Sequence, residues 1–487
     1  MKKFYITTPI YYVNSPPHVG SAYTTIAADI LARYHGLKNE NVFFLTGTDE
    51  HGKKVQQTAQ EAGIPVKEFV DKIAHSFKET WRILNVSYNN FIRTTDVYHK
   101  NAVKRILQKL YKDRFIYKGY YESYYCIGCE QYLTKTDLVD GKCPLHKKEP
   151  ELKKEQAYLF KLSKFQNKIL TSIKEGRLCI LPIERRNEVI SFIENGLQDI
   201  SISRKKSEVP WGIELPFDKE HSCYVWIDAF YNYASGLKNK YRIYWPPDIQ
   251  LMAKDILRVH ATIWIAINLA LRRKLPKMIF VHGYFTINGQ KISKSLGNAI
   301  DPIYLLNRYG VDALRYYLIR EIPFGQDGDF SEESLKSRLN NELANDLGNL
   351  VSRILTLVEK NFKNGLKKNS LDKRLAEKLN IKKIDSYMEN LELHNALSEI
   401  WKFINECNKH INEEKPWEMK NAELKKHLYT LTEAIRIISI LISPFMPTAA
   451  EKISKQLNIK LGKLRDAKFG LIKTYNVKKG EILFKKI

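Results

Sequence analysis

The sequence has few cysteines and no long hydrophobic run. Only six of its 487 residues are cysteine; Cys126, Cys129 and Cys143 lie close together, and the others are solitary. A disulfide framework is therefore excluded, and a reducing, cytoplasmic setting is expected. The apolar stretches IWIAINLAL and IISILI are too short to cross a bilayer, so no membrane partner is expected.

Further features are absent. The apolar opening MKKFYITTPIYYV is broken by Pro9, Asn14, Pro16 and Pro17, and no small-residue cleavage site follows, so it does not fit a signal peptide. We find no internal repeat, no low-complexity tract and no GxxxxGK(S/T) phosphate loop. The length predicts about two to four packed units that are stable without disulfides.

Basic residues outnumber acidic ones. The chain has 79 Lys and Arg against 54 Asp and Glu, which gives a formal charge of +25. Such an excess is typical of a surface that binds a polyanion, and the interleaved tyrosines favour this interpretation. The alternative is a charged surface that only keeps the protein in solution.

The pattern of elements predicts a parallel sheet followed by helices. FYITTPIYYV has the character of a buried strand, AYTTIAADILARYHGLK has helical spacing, and NVFFLTGTDEHG is a second strand ending in a polar turn. Ligands of such sheets bind where the strands end, at the turns NSPPHVGS and TGTDEHG. An insertion begins near residue 116, and the long amphipathic patterns after about residue 340 predict a helical bundle.

One amino-terminal motif can contact phosphate. In NSPPHVGS, Ser15 can cap a helix whose first turn holds Pro16 and Pro17. The free amides of the helix start, together with His18 and Gly20, then form a phosphate cradle. Taken alone, this stretch is more often just a turn.

A lysine motif can contact the same group. In KISKSLGN, Lys291 and Lys294 can close over a triphosphate and stabilise the charge on a leaving pyrophosphate. For lysines alone, a solvated basic loop is the better interpretation.

Four ligand-type residues have the spacing of a metal knuckle. Cys126-x2-Cys129 is followed, after thirteen residues, by Cys143-x2-His146. This spacing predicts a structural, tetrahedral zinc site, and the ligand types alone leave iron open.

The two phosphate motifs resemble those of a known family. HVGS and KISKS resemble the HIGH and KMSKS signatures of class I aminoacyl-tRNA synthetases, and TPIYYVNSPPHVGSAYTT, TGTDEHG and YVWIDAFYNY are similar to the methionyl-tRNA synthetase family. The resemblance covers nearly the whole chain. It implies an α/β fold, with a Rossmann-type parallel-sheet catalytic domain split by a zinc-binding insertion and followed by an all-α anticodon-binding bundle.

The resemblance also implies domain boundaries and an activity. The catalytic halves are expected at 1–115 and 223–290, the insertion at 116–222, the lysine loop with a stem-contact region at 291–345, and the helical domain at 346–487. The implied reaction joins ATP, with Mg²⁺, and L-methionine to methionyl-adenylate and transfers methionine to initiator and elongator tRNA(Met). One structural Zn²⁺ per chain and, since the chain stops soon after the helical domain, a monomer are expected.

The implied site residues fall into four groups. The catalytic and ATP-binding residues are His18, Gly20, Ser21, Lys254, Asp255, Lys291, Ser293 and Lys294. The methionine-binding residues are Ile10, Tyr12, Asp49, Trp226, Ala229, Tyr233, Ile256, His260 and Trp264. The anticodon-binding residues are Asn349, Arg353, Pro416 and Trp417, and the zinc ligands are Cys126, Cys129, Cys143 and His146. Ser21 departs from the second histidine of HIGH, and Ala253 from the glycine that commonly precedes Lys-Asp.

Two alternatives to this function are kept. Another class I synthetase, for leucine, isoleucine, valine or cysteine, is the first, but the segment between the catalytic halves is too short for the large editing insertion that the branched-chain enzymes usually carry. The second is a non-catalytic RNA-binding protein that kept the fold, against which His18, Asp49, Lys291 and Lys294 argue.

Overall fold

A computed structural model describes residues 2–128, 131–133, 138–145, 147–287, 289–292 and 300–487. Within these ranges the side chains of Tyr121, Ser123, Gln131, Tyr132, Glu155 and Lys291 are outside the description.

The described elements alternate between strand and helix in the first part of the chain and are mainly helical in the last. The strands are β1 (Lys3–Tyr12), β2 (Asn41–Asp49), β3 (Asn90–Arg93), β4 (Ile116–Cys126), β5 (Gln131–Leu133), β6 (Glu151–Phe160), β7 (Cys179–Leu181), β8 (Ile200–Ser201), β9 (Ser203–Lys205), β10 (Glu214–Leu215), β11 (Asp218–Cys223), β12 (Ile249–Ala253), β13 (Met278–His282), β14 (Phe285–Ile287), β15 (Gln290–Lys291), β16 (Gly328–Asp329), β17 (Leu366–Lys367) and β18 (Thr474–Tyr475). The helices are α1 (Val19–Leu37), α2 (Lys53–Glu61), α3 (Val66–Ile83), α4 (Val97–Lys112), α5 (Gln166–Lys174), α6 (Ile183–Glu194), α7 (Val225–Phe230), α8 (Asn232–Ser235), α9 (Tyr241–Tyr244), α10 (Leu257–Val259), α11 (Ile265–Ala270), α12 (Pro302–Tyr309), α13 (Val311–Arg320), α14 (Glu332–Arg338), α15 (Asn349–Asn361), α16 (Lys373–Ala376), α17 (Ile381–Glu389), α18 (Leu393–Glu414), α19 (Asn421–Ile442) and α20 (Pro447–Gln456).

A six-stranded parallel sheet organises the first part of the chain. Its order is β3-β2-β1-β12-β13-β7, and each pair of neighbours runs parallel. The sequence-based prediction of a strand, helix and parallel strand at the amino end is confirmed by β1, α1 and β2. Because β1, β2, β12 and β13 run in the same direction, the segments that follow them meet at one edge of the sheet. This edge carries the candidate site.

The insertion forms a small sheet of its own and also contributes one strand to the six-stranded sheet. A long antiparallel ladder pairs β4 with β6, which β5 and β8 extend. Strand β7 lies within the range 116–222 that the sequence assigned to the insertion, yet it pairs with β13 at the edge of the six-stranded sheet. The parallel sheet therefore draws one of its strands from inside that range, which the short apolar run CIL did not reveal.

The last part of the chain is a bundle of helices. The long helices α18 and α19 pack against each other and against α15, and α20 packs on α19. A π-helical segment, Leu339–Gly348, joins α14 to α15 without a break. Apolar side chains of this bundle and of the sheet form one continuous buried cluster, so the two parts share a core. None of the helices in the described ranges has the length and apolar character that a bilayer span requires.

Candidate active site

Helix α1 begins at the carboxyl edge of β1 with His18 as its N-cap. His18 has extended backbone angles, and its Nδ1 accepts a hydrogen bond from the amide of Gly20 at 3.1 Å. The prediction that Ser15 caps a helix beginning at Pro16 is wrong, because the helix starts at Val19. The prolines instead precede the cap, where they restrict the backbone that leads to His18.

Ser21 completes the cap. Its hydroxyl donates to the carbonyl of His18 at 2.7 Å and accepts from the amide of His18 at 3.0 Å. A small hydroxyl three residues after the cap is the geometry of a capping box. The side chain that departs from the HIGH signature therefore holds the backbone of His18 in place.

Gly20 is required by the position of the His18 ring. A Cβ built on Gly20 would lie 2.9 Å from Cε1 and 3.0 Å from Nδ1 of His18. Any side chain at this position would therefore displace the imidazole. Besides its place in the predicted phosphate cradle, Gly20 therefore leaves room for the ring of His18.

The start of α1 is tied to the lysine motif. The amide of Val19 donates to the carbonyl of Ile300 at 3.1 Å, and Ile300 is the first described residue after the KISKS segment. Before that segment, Lys291 lies in β15, which pairs with β14 in a small sheet with β16. Ser293 and Lys294 lie outside the described residues, as does the side chain of Lys291.

The turn after β2 is held by buried ion pairs. Asp49 ends β2 and is buried, and its carbonyl accepts from the amide of Val13. The carboxylate of Glu50, the next residue, accepts from Nε and Nη2 of Arg93 at 2.6 and 2.9 Å. Nδ1 of His51 lies 2.6 Å from Oδ2 of Asp228. Glu50 and His51 thus hold the turn that carries Asp49.

Asp228 is a buried acceptor for two histidines. Besides His51, it contacts Nε2 of His99 at 2.7 Å, and Nδ1 of His99 lies 2.7 Å from the hydroxyl of Ser235. Burial opposes ionisation of Asp228, but the charge and hydrogen bonds of the histidines outweigh it and lower its pKa. No sequence pattern predicted Asp228 and His99 as partners, because they lie too far apart in the chain for any motif spacing to connect them.

An aromatic pocket follows β12. Nδ1 of His260 lies 2.8 Å from the carbonyl of Ile256, which can only accept, so His260 carries its proton on Nδ1. Nε2 of His260 therefore accepts from the hydroxyl of Tyr233 at 2.8 Å. Burial lowers the pKa of His260 to about 4, so the ring is neutral at neutral pH. The neutral ring is fixed in orientation at both nitrogens.

The pocket gathers most of its predicted members and adds one. The ring of His260 lies near Trp226 and Tyr233, with centroids 6.3 and 5.8 Å away, and Tyr233 lies 5.6 Å from Trp264. Phe230, which the sequence analysis missed, lies 4.9 Å from His260, edge to face. Phe230 lies in the same short helix, α7, as Ala229 and Trp226. Its position next to Ala229 in the sequence could therefore have indicated that it belongs to the pocket.

The segment that holds Ile256, His260 and Trp264, which are spaced four residues apart, is not a regular α-helix. His260–Trp264 is a π-helical segment between α10 and α11, and Ile256 ends a short 3₁₀ turn. Single π turns recur at functional sites because the extra residue redirects side chains. Of the remaining predicted members, Tyr12 packs against both main clusters, while Ile10 packs against a third cluster around Tyr5, Phe43 and Leu45.

The ends of β12 and β13 supply further polar groups. Nζ of Lys254 forms an ion pair with Asp327 and lies 4.8 Å from the centre of the Tyr284 ring. Burial, together with the charge of the neighbouring Asp255, raises the pKa of Tyr284. His282, at the end of β13, places Nε2 2.8 Å from the hydroxyl of Thr24 in α1. His282 was not predicted, although HG after an apolar strand places it at the same edge.

Two of the four predicted zinc ligands lie in one buried cluster. Cys126, at the end of β4, and Cys143 are both buried and share a small core with Leu133. Cys129 and His146 lie outside the described residues. Of the solitary cysteines, Cys223 and Cys407 are buried and Cys179 is half-buried.

In the helical bundle, two predicted anticodon residues are in contact. The guanidinium of Arg353 lies 5.5 Å from the centre of the Trp417 ring, and Nη2 donates to Asn412 at 2.9 Å. Trp417 is 50% exposed, so part of its ring is accessible from solvent. Asn349 is exposed one turn before Arg353 in α15, and Pro416 is buried beneath the loop.

The parallel sheet, the capped histidine at its edge and the helical bundle define a class I aminoacyl-tRNA synthetase. The family model for class I tRNA synthetases (M) matches residues 4–148 and 134–355, and that for the anticodon-binding domain of tRNA ligases matches 372–478. The chain belongs to the methionyl-tRNA synthetases, whose members activate methionine with ATP and attach it to tRNA.

Individual relatives support this membership. The chain is 48% identical to a methionine--tRNA ligase of Caldanaerobacter subterraneus, covering all of this chain and 79% of the relative. It is 43% identical to that of Thermotoga maritima, covering all of this chain and 80% of the relative. A solved Mycobacterium tuberculosis methionyl-tRNA synthetase in complex with methionyl-adenylate matches with a TM-score of 0.95 at 36% identity, over 99% of this chain and 100% of that one. The predicted fold class, family and enzyme class are therefore confirmed.

Proposed function

We propose that methionyl-adenylate forms at the carboxyl edge of β1, between the His18 cap and the aromatic pocket around His260. The observation that carries this assignment is the hydrogen bond from Val19 to Ile300, because it ties the start of α1 to the chain five residues after the KISKS motif. The complex of the Mycobacterium tuberculosis relative with methionyl-adenylate supports the same ligand here.

In this proposal the protein supplies no nucleophile. A carboxylate oxygen of methionine attacks the α-phosphorus of ATP, the new oxygen–phosphorus bond forms, and the bond to pyrophosphate breaks. His18 donates to the phosphates, while Lys291 and Lys294 stabilise the charge that develops on the leaving pyrophosphate. Lys254, Asp255 and Ser293 contribute to ATP binding. Ser21 and Gly20 act through His18, by fixing its backbone and leaving space for its ring.

The methionine side chain would bind against His260. A neutral imidazole framed by Trp226, Phe230 and Tyr233 offers aromatic edges to a thioether, which favours such contacts. The carboxylate of Asp49, at the end of the adjoining strand β2, would bind the α-ammonium group. Ile10, Tyr12, Ala229, Ile256 and Trp264 would complete the walls. This arrangement recognises shape and polarisability without a charged group facing the thioether.

The proposed function involves two kinds of metal ion, Mg²⁺ with ATP and one structural zinc. Enzymes of this class use ATP together with Mg²⁺, which neutralises charge on the phosphates when bound. Cys126, Cys129, Cys143 and His146 would hold one structural zinc, which supplies folding energy and leaves no open position. Cys126 and Cys143 are buried in one small cluster, which fits two ligands of a closed site.

The tRNA substrate is proposed to be tRNA(Met), both initiator and elongator, because both carry the same anticodon. Asn349, Arg353, Pro416 and Trp417 would bind the anticodon, with Trp417 as a stacking platform. A monomer in the cytoplasm is the proposed working form. We also propose the domain boundaries given above, except that β7 belongs to the catalytic sheet rather than to the insertion.

The decisive experiment is ATP–pyrophosphate exchange with each proteinogenic amino acid. Exchange with methionine alone is the expected result, whereas exchange with another amino acid or with none would contradict the proposal. His18→Ala should lower the exchange rate by on the order of 10²-fold, as the loss of a preorganised donor does elsewhere. His75→Ala, at an exposed position of α3, is the matched control and should leave the rate unchanged.

A further inference from the structure

Two histidines and a carboxylate meet inside the helical bundle, far from the cysteine knuckle in sequence. Asp372, His410 and His427 are all buried, and one ligand atom from each lies within 4.8 Å of the others. Asp372 precedes α16, His410 lies near the end of α18, and His427 lies near the start of α19. The catalytic mechanism uses none of them.

We propose that Asp372, His410 and His427 bind a divalent transition-metal ion of the zinc type. Nε2 of His410 and Nδ1 of His427 face each other at 3.1 Å. Two imidazole nitrogens bound to one tetrahedral zinc stand about 3.3 Å apart, so the rings need to separate only slightly. Imidazole with carboxylate is a donor set that suits zinc.

The surrounding charges favour a cation. Oδ2 of Asp372 lies 3.8 Å from Nδ1 of His427, and on the outer side of the same ring Oε2 of Glu414 lies 3.8 Å from Nε2. At 3.8 Å Glu414 is not hydrogen-bonded to the ring, but its negative charge on that side favours a proton on Nε2 and leaves the lone pair on Nδ1 for a metal. The two carboxylates face one arginine, Arg374, which contacts both. The pocket is therefore locally acidic in a chain of charge +25.

Arg374 does not block the site. It binds Asp372 through Nη2 at 3.0 Å, but its side chain is 70% exposed and can swing into solvent. The carboxylate of Asp372 also accepts from the backbone amide of Arg374 at 3.0 Å, which holds it beside His427 when the guanidinium leaves. Without an ion, the two rings share one N–H···N hydrogen bond. Metal binding requires that both facing nitrogens present a lone pair, so that His410 carries its proton on Nδ1 and His427 on Nε2, and that the guanidinium of Arg374 leave Asp372.

The ion would fasten three elements beside the proposed anticodon loop. His410 and Glu414 end α18, and Pro416 and Trp417 follow directly. A bond between this helix end, α16 and α19 would hold the loop that presents Trp417. This consequence rests on the anticodon assignment proposed above, whereas the metal site itself does not.

Metal content tests the site. Full-length protein is stripped with a chelator under reducing conditions, loaded with Zn²⁺, freed of excess ion and analysed for zinc per chain. His410→Gln and His427→Gln should each bind one equivalent less than the unaltered chain, while His75→Gln, at an exposed histidine, should lose none. Equal zinc in the unaltered and His427→Gln proteins would overturn the proposal. If the histidines only form a hydrogen bond, the variants lose thermal stability with unchanged zinc.

Cobalt separates this site from the knuckle. In a Cys126→Ser, Cys143→Ser protein, Co²⁺ should still give the visible absorption of a tetrahedral site without thiolate charge transfer, and His427→Gln should remove it. No visible band would contradict the assignment. Asp372→Asn keeps an acceptor for the amide of Arg374 and serves if a histidine variant fails to fold; it should weaken Co²⁺ binding at least about 10-fold.

A separate readout tests the link to tRNA. His427→Gln should raise KM for tRNA in aminoacylation and leave ATP–pyrophosphate exchange unchanged. If KM is unchanged while one zinc is lost, the metal site stands and its role in holding Trp417 is refuted. If zinc is retained while KM rises, the metal site is refuted and the histidines act on the loop by packing.

Discussion

Asp29 and Arg315 form an ion pair that is sealed from solvent. Nη2 of Arg315 lies 2.7 Å from Oδ2 of Asp29, and both side chains are fully buried. Arg315, in α13, also donates to the carbonyls of Leu84, Pro444 and Phe445. The pair therefore connects helix α1, whose first turn holds the active-site cap, to the end of α19 in the bundle.

Removing one partner should destabilise the whole chain. Arg315→Met leaves the buried charge of Asp29 with Arg33 and Ser87 and removes the donor from three backbone carbonyls, and breaking such a buried pair costs about 3–5 kcal/mol. Urea unfolding measures the loss. Lys109→Ala, which removes an exposed pair with Asp113, is the control and should cost no more than about 0.5 kcal/mol. Equal losses in the two variants would show that burial does not set the strength of the Asp29 pair.

Gly20→Ala should lower activity without lowering stability. The added Cβ would push the His18 ring from its place, and a displacement of about 1 Å in a catalytic group can cost on the order of 10²-fold in rate. Alanine is the better helix former by about 1 kcal/mol, which offsets the loss of the capping contact of His18, so the melting temperature should change little. Both are measured, by pyrophosphate exchange and by thermal unfolding.

Gly36→Ala, in the same helix, is the matched control for this change. A Cβ on Gly36 meets no atom within 4 Å. The exchange rate of this variant should equal that of the unaltered chain. A normal rate for Gly20→Ala would refute the steric role assigned to Gly20.

Stability should fall as the pH is lowered from about 6.5 to about 4. Burial lowers the pKa of both His260 and His282 to about 4, from an ordinary value of 6.5. In this window the unfolded chain takes up protons that the folded chain excludes, so acid favours unfolding. Above about 6.5 both states are neutral and the contribution of these groups is constant.

A variant isolates this effect. His282→Gln removes one of these two imidazoles and should make the free energy of unfolding less dependent on pH between 6.5 and 4. His75→Gln, at an exposed histidine, should keep the full dependence. Denaturant titrations at a series of pH values provide the comparison, and an unchanged slope in His282→Gln would contradict the prediction.

Trp417→Ala should impair tRNA charging and spare adenylate formation. Stacking of one base on an aromatic ring is worth about 1–3 kcal/mol, so KM for tRNA should rise roughly 5- to 150-fold. Arg353→Ala should raise it as well, since its guanidinium lies over the same ring. Ile243→Ala, an exposed apolar side chain in α9, is the control. If Trp417→Ala changed the rate of pyrophosphate exchange, the assignment of Trp417 to anticodon binding would be contradicted.

Local patterns in the sequence were enough to predict the fold and much of the candidate site. The strand β1, helix α1 and strand β2 follow from alternation and helical spacing, and the polar turns after the two strands fall at one edge because parallel strands share a direction. The cap was misplaced by three residues, since Ser15 and the prolines form a plausible helix start and only the three-dimensional arrangement selects His18.

Long-range packing decided what local patterns could not. Short motifs were enough to predict membership of the synthetase family, the metal-type spacing of the cysteines and the identity of most pocket residues. Periodicity and motif spacing involve only a few neighbouring residues, so they can be recognised in the sequence alone. The tautomer of His260, the ion pair of Asp29 with Arg315, the stack of Arg353 on Trp417 and the meeting of Asp372 with two histidines join residues far apart in the chain. Such pairs exist only once the sheet and the bundle are packed, since burial then fixes side-chain orientation and strengthens their interactions.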